Sequence, residues 1–147
     1  LLFYFIYAEH VVENENLTLH YDNDARSFLE GQLDRFNSKF MGLNAHEYDV
    51  YYKDGDEKII AGLYAESYGA VFYIHYLWID EAQRGRRLGH RLLEAAEAHA
   101  RQLGCVSVAV DTFSFQAPNF YLKQGFQMIG ELDCGNEITR SYLNKQL

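Results

Sequence analysis

The apolar run Val71 to Ile79 is followed closely by Gln83-Arg84-Gly85-Arg86-Arg87-Leu88-Gly89-His90 and then by a long amphipathic stretch. A strand that leaves its sheet through a glycine-bearing turn and enters a helix restricts the chain to a few layered arrangements of strands and helices. Such a turn also has chemistry of its own. The first backbone N–H groups of a helix lack internal partners, and the helix dipole adds positive potential there. Anions settle on such ends. Arg84, Arg86 and Arg87 gather in this turn although the formal net charge of the chain is -8. The turn therefore reads as a cradle for a phosphorylated ligand.

The elements around it follow from periodicity. Leu17 to Tyr21 alternates as a short strand, and Asp22-Asn23-Asp24 supplies an N-cap for a helix with Ala25, Phe28, Leu29, Leu33 (or Gln32), Phe36 and Phe40 at helical spacing, ended by Gly42. Tyr48 to Lys53 and Lys58 to Ala65 read as strands joined by the turn residues Asp54-Gly55-Asp56. The helix after the arginine turn places Leu88, Leu92, Ala95, Ala96, Ala100 and Leu103 on one stripe and stops at Gly104. Val106 to Val110 is a β-branched run suited to a strand covered on both faces. A short helix with Pro118 in its first turn and Gly125 at its end precedes two strands, Phe126 to Gly130 and Ile138 to Leu143. The expected fold is a mixed α/β (α+β) sheet with helices on its faces. The 147 residues make most simply one domain, with residues 1–16 as an N-terminal extension.

Composition narrows the function. Apolar residues are 48% of the chain and aromatics 16%, which argues against disorder. The acidic balance argues against a nucleic-acid partner, which requires a basic face, and it suits a cationic small molecule. The opening apolar segment covers eight residues, too few to span a bilayer, so no membrane partner is expected. Cys105 and Cys134 form no metal or disulfide pattern. No metal and a reducing, cytoplasmic setting are the corresponding expectations.

Arg84-Gly85-Arg86-Arg87-Leu88-Gly89 resembles the Arg/Gln-x-x-Gly-x-Gly/Ala signature of the GNAT superfamily of N-acetyltransferases. Ala117-x-x-Phe120-Tyr121-Leu122-Lys123-Gln124-Gly125-Phe126 resembles its second motif, Ala-x-x-Phe-Tyr-x-Lys-x-Gly-Phe. The two fall on the expected elements, in order, with a strand between them. There are two departures: Arg87 stands at the usual first glycine, tolerable if its backbone is right-handed, and Ser114 stands where many relatives have Asn.

The resemblance implies a mostly antiparallel sheet with two splayed parallel strands at an acetyl-coenzyme A site. The pyrophosphate would lie on Arg84, Gly85, Arg86, Arg87, Leu88 and Gly89, and the pantetheine along Leu77, Trp78 and Ile79, with Ser114 and Tyr121 nearby. By the same resemblance the Leu77 N–H stabilises the oxyanion and Tyr121 protonates the departing sulfur.

A neutral amine is the required nucleophile, since an ammonium has no lone pair. Tyr73, His75 and Leu77 share a strand face by alternation, so Tyr73 and His75 are expected toward the acceptor, with His75 as base. Trp78 is then expected on the opposite face. Glu66, Glu47 and Asp111 are lesser candidates for the base, expected as solvated strand-end charges, and His90 and His99 are expected to face solvent. The implied activity is acetyl transfer to a small-molecule primary amine by direct attack. A non-catalytic coenzyme A-binding module and a protein amine as acceptor are the alternatives, and a homodimer follows by analogy.

Overall fold

The computed structural model describes residues 25–41 and 46–147. Internal contacts divide the chain into two compact units, Leu1–Asn37 and Ser38–Leu147. The helix α1, Ala25–Met41, carries Phe28, Leu29, Leu33, Phe36 and Phe40 at the expected spacing, all of them exposed. The strand expected at Leu17 to Tyr21, the cap at Asp22 to Asp24 and the stop at Gly42 lie outside the described residues.

The other elements of the described residues are β1 (Glu47–Lys53), β2 (Ile59–Tyr68), β3 (Val71–Ile79), a short 3₁₀ turn (Glu81–Gln83), α2 (Leu88–Gln102), β4 (Ser107–Phe113), α3 (Pro118–Lys123), β5 (Gln127–Asp133) and β6 (Thr139–Gln146). The strands form a six-stranded sheet in the order β1-β2-β3-β4-β6-β5. Every neighbouring pair is antiparallel except β3 with β4. The expected α/β fold with a mostly antiparallel sheet is therefore observed.

Local chemistry explains the joints. In the β1–β2 turn, Asp54 Oδ1 accepts hydrogen bonds from the backbone N–H groups of Asp56 and Lys58, both at 3.0 Å, an Asx arrangement that stands in for a backbone turn. Gly104 ends α2 with φ +78° and Gly125 follows α3 with φ +89°, positions where a Cβ would be strained.

One face of the sheet carries the core. Ala61, Leu63 and Ala65 of β2, Phe72 and Ile74 of β3, and Val108 and Val110 of β4 pack in one cluster with Leu92, Leu93, Ala96 and Ala100 of α2. Fully buried alanines on both helix and strand let α2 lie close to the sheet. Glu97, on the same helix, is buried but paired: it accepts from Lys145 Nζ at 2.6 Å and lies 3.6 Å from Arg101. That pairing meets the cost of burying its charge.

Candidate active site

Two irregularities in the sheet create the site. The parallel pairing of β3 with β4 runs only from Val71↔Ser107 to Ile74↔Val110, although both strands continue. Beyond Ile74 they splay. At the same point the register between β2 and β3 jumps, with Tyr64 opposite Tyr76 and Ala65 opposite Ile74. His75 is thus the extra residue of a β-bulge, a feature that bends a strand and re-aims its side chains.

The bulge corrects the alternation read from sequence. Leu77 and Ile79 pack against the same core as Phe72 and Ile74. Leu77 is therefore on the face opposite Tyr73, not beside it. Tyr73 and His75 do share a face, with ring centroids 5.1 Å apart. Tyr76 joins them, stacked on Tyr64 at 5.9 Å. Trp78 alternates with Leu77 and Ile79, so it falls on the side of His75 rather than opposite, half exposed. One inserted residue shifts the phase of everything after it.

Backbone direction in the splay is set by the β2 side. The Asp80 N–H donates to the Ile60 carbonyl at 2.9 Å. Because antiparallel bonding alternates residue by residue, the N–H and C=O groups of Leu77 and Ile79 point away from β2, into the gap where β4 has departed. These are unused sheet groups, ready to pair with an amide-bearing chain laid between the strands.

A cleft of about 720 Å³ occupies the splay, lined by Ile74 to Ile79, Arg84, Val110 to Thr112, Phe115 to Ala117, Phe120 and Tyr121. Tyr121, from α3, is buried, and its phenol is pushed up to about 12 by desolvation and, secondarily, by the charge of Asp111. It stays protonated at neutral pH. Its hydroxyl makes no hydrogen bond to another described residue.

At the cleft's edge lies the glycine-arginine turn. Asp80 caps the short 3₁₀ turn by accepting from the Ala82 N–H at 3.0 Å. Gly85 has φ +77° and Arg87 φ +61°, so left-handed residues alternate with others just before α2. Alternation of this kind can turn successive N–H groups toward one point, a geometry able to accept an anion. α2 has no side-chain cap, which leaves the N–H groups of Leu88, Gly89 and His90 without helical partners. A Cβ on Gly89 would lie 2.9 Å from Ile79 Cδ1 and 3.1 Å from Phe120 Cζ. Glycine there lets the helix end approach β3 and α3.

The left-handed backbone of Arg87 corrects the expectation of a right-handed one. The turn demands the conformation that glycine usually supplies, and Arg adopts it at a strain cost of about 1–2 kcal/mol. Arg84 lines the cleft, whereas the Arg86 guanidinium donates to Gln83 Oε1. Ser114 does not line the cleft. Its Oγ accepts from the Thr139 N–H at 3.2 Å, and its own N–H donates to the Thr139 carbonyl at 2.8 Å, tying the end of β4 to the start of β6. Gln116 has a local role as well, accepting from the Phe113 N–H at 2.9 Å.

On the sheet face opposite α2, two carboxylates are engaged rather than solvated, contrary to the sequence reading. Glu66 accepts from the Tyr64 and Tyr68 hydroxyls, and its Oε2 lies 3.2 Å from His75 Nε2. These bonds, that of Tyr64 first, hold its carboxyl below the ordinary range. Asp111 accepts from the Tyr73 hydroxyl and from Arg140 Nε at 2.5 Å. Burial alone would raise its carboxyl, but the bonds from Arg140 and Tyr73 outweigh that and hold it low. Burial, followed by the bond to Asp111, pushes the Tyr73 phenol well above its ordinary value.

His90 and His99 are half-buried rather than solvent-facing. His90 Nδ1 meets Gln124 Oε1 at 2.6 Å, and His99 stacks on Tyr48 at 4.3 Å. Sequence reading missed Phe115 and Phe120 as cleft walls. Phe120 sits inside the second motif beside Tyr121, and that position was the available signal. Among the described residues no helix is long and apolar enough to cross a membrane, and no group of three or more His, Cys, Asp or Glu side chains is placed to hold a metal.

The comparisons agree with this geometry. The model of the acetyltransferase (GNAT) family matches residues 8–126. The chain is 34% identical over 110 residues to blasticidin-S acetyltransferase of Streptomyces morookaense, covering 71% of this chain and 81% of that protein. The crystal structure of an acetyltransferase from Bacillus cereus superposes with a TM-score of 0.79 at 26% identity, over 89% of this chain and 97% of that one. An aminoglycoside 6'-N-acetyltransferase complexed with coenzyme A shares the fold, with a TM-score of 0.61 at 15% identity, over 88% of this chain and 97% of that one. With its splayed parallel strands, glycine-arginine turn and cleft tyrosine, the chain belongs to the GNAT family of acetyltransferases.

Proposed function

We propose that this acetyltransferase moves an acetyl group from acetyl-coenzyme A to a primary amine of a small cationic molecule, an amine antibiotic or polyamine, by direct attack. The observation that carries the reading is the β3–β4 splay, with the Leu77 and Ile79 backbone groups turned into it and Tyr121 in its wall. The relationship to a blasticidin-S acetyltransferase supports an antibiotic as acceptor, as does the net charge of -8 for a cation.

The residues present fit the coenzyme. Gly89 lets the start of α2 seat against Ile79 and Phe120, where a Cβ would clash, and the free N–H groups of Leu88, Gly89 and His90 suit a diphosphate. Arg84, Arg86 and Arg87 add positive charge beside Gly85. Leu77, Trp78 and Ile79 would hold the pantetheine arm. When bound, acetyl-coenzyme A supplies a thioester-activated acetyl group. The Leu77 N–H offers a donor to the carbonyl oxygen, and Tyr121 offers its proton to the sulfur. A phenol near 12 is a weaker acid than a simple thiol at ~8.5, so Tyr121 acts as a strong hydrogen-bond donor rather than by complete transfer. Tyr73 and His75 face the acceptor, His75 as the base.

We read the two units as parts of one acetyltransferase domain, since the family match crosses their boundary. The cytoplasm suits its two free cysteines, and a homodimer is the assembly we expect. The test is an acetylation screen over polyamines, nucleoside and aminoglycoside antibiotics and peptide amines, with thiol release as readout. Turnover on a small cationic amine supports the reading, and turnover on peptides alone moves the acceptor to protein. A non-catalytic coenzyme A-binding module is the second reading, motivated by Arg87 at the glycine position; tight coenzyme binding without turnover on any amine would establish it.

A further inference from the structure

The hydrogen bonds around Glu66 specify where a proton sits on His75. The Tyr64 hydroxyl donates to Glu66 Oε1 and the Tyr68 hydroxyl to Oε2. Each phenol has one proton, and both are committed. The carboxylate, ionised, can only accept. His75 Nε2 lies 3.2 Å from Glu66 Oε2 and 3.3 Å from the Tyr68 oxygen. Only the ring's own proton is left to make these contacts, so Nε2–H donates. In a neutral imidazole the other nitrogen then carries the lone pair. Nδ1 has no hydrogen-bond partner among the described residues, and His75 lines the cleft.

We propose that Glu66 is a positioning residue, whose carboxylate, clamped by Tyr64 and Tyr68, holds His75 in the Nε2–H tautomer and reserves Nδ1 to take the proton of the incoming amine. This rests on the reading of His75 as the base. As the amine nitrogen bonds the acyl carbon and the C–S bond breaks, the amine proton passes to Nδ1. The resulting imidazolium is balanced by the Glu66 carboxylate, and the ring then loses the proton to solvent in the open cleft.

Among the described residues, the groups that face His75 are Tyr64, Glu66 and Tyr68 of β2, Tyr73 and Tyr76 of β3, and Asp111 of β4. Asp111 cannot substitute for Glu66. Its two oxygens are taken by Tyr73 and Arg140, and the guanidinium balances its charge. Among the described residues, Glu66 is the carboxylate in contact with the ring.

Full-length protein labelled with ¹⁵N-histidine reports the two ring nitrogens by NMR without any ligand. Above the titration of the ring, wild type is expected to show a protonated Nε2 and an unprotonated Nδ1. Glu66→Ala is expected to mix the tautomers. Glu66→Gln keeps the volume if the alanine variant does not fold, and is expected to mix the tautomers likewise, because its amide can donate as well as accept. With acetyl-coenzyme A and an amine found active by screening, either variant should lower kcat roughly ten-fold or more with the acceptor KM little changed.

An Nδ1–H tautomer in wild type overturns the proposal, as does an unchanged tautomer in a folded Glu66 variant. His75→Ala separates the two levels. If that variant keeps wild-type turnover, the base assignment fails. If it loses turnover while the Glu66 variants leave the tautomer and kcat unchanged, only the positioning role fails.

Discussion

Tyr121 and Arg87 show how much a single position can carry. Burial keeps the Tyr121 phenol protonated far above neutral pH, which is what a donor to a departing thiolate needs. Tyr121→Phe keeps the ring and removes only the hydroxyl. It should lower kcat by about 10²-fold while the KM for acetyl-coenzyme A stays within about two-fold, measured by thiol release; an unchanged kcat removes Tyr121 from the chemistry. Arg87 combines a positive charge with a strained, left-handed backbone, and two substitutions separate them. Arg87→Ala keeps the strain and loses the charge, whereas Arg87→Gly loses both. The glycine variant should be the more stable of the two by about 1 kcal/mol in urea denaturation, since relief of strain exceeds the added freedom of the unfolded chain. Equal stabilities would mean that the left-handed conformation carries no strain.

Between elements, the decisive contact is the approach of α2 to β3 and α3. Gly89 is the point of closest approach, where even a methyl group meets Ile79 and Phe120 within 3.1 Å. Gly89→Ala should cost about 1 kcal/mol or more of stability through overpacking and raise the KM for acetyl-coenzyme A more than it changes kcat, because the cradle shifts while Tyr121 and His75 stay in place. Thermal denaturation and initial-rate kinetics on the same variant check both halves. The elements themselves were largely readable. Val71 to Ile79 and the helix ending at Gly104 coincide with β3 and α2, because apolar period and glycine conformation are local properties. Boundaries were less so: β2 runs on to Tyr68 and β4 to Phe113, where cross-strand bonding extends strands beyond their apolar runs.

For the whole molecule, ionisable groups whose proton affinity changes on folding set the pH range of stability. The Glu66 and Asp111 carboxyls are held below their ordinary values in the fold. The unfolded chain therefore binds their protons first as pH falls. Their contribution is present above the ordinary carboxylate range near ~4 and is lost as pH drops through the depressed folded values. Tyr121 acts at the other end. Its folded value of about 12 exceeds the ordinary one, so its contribution is complete below ~10 and is lost as pH rises toward the folded value. The melting temperature should hold a plateau between these limits and fall on both sides. Asp111→Asn should flatten the acid side and Tyr121→Phe the alkaline side; an acid limb unmoved by Asp111→Asn would show that this carboxylate is not stabilised by folding.

What could be read along the chain was what depends on near neighbours: the order of the elements, the glycine-bearing turn from Gly85 to Gly89 that opens α2, and the family from two motifs that include Tyr121. The phase of β3 beyond Ile74 could not be read that way. A β-bulge is defined by register against the facing strand, and the residue inserted at His75 reversed the side on which Leu77 and Trp78 fall. The partners of Glu66 and Asp111 were likewise out of reach. Arg140 lies on β6 and His75 on β3, and a carboxylate's state depends on which distant donors the sheet brings within hydrogen-bond distance of it.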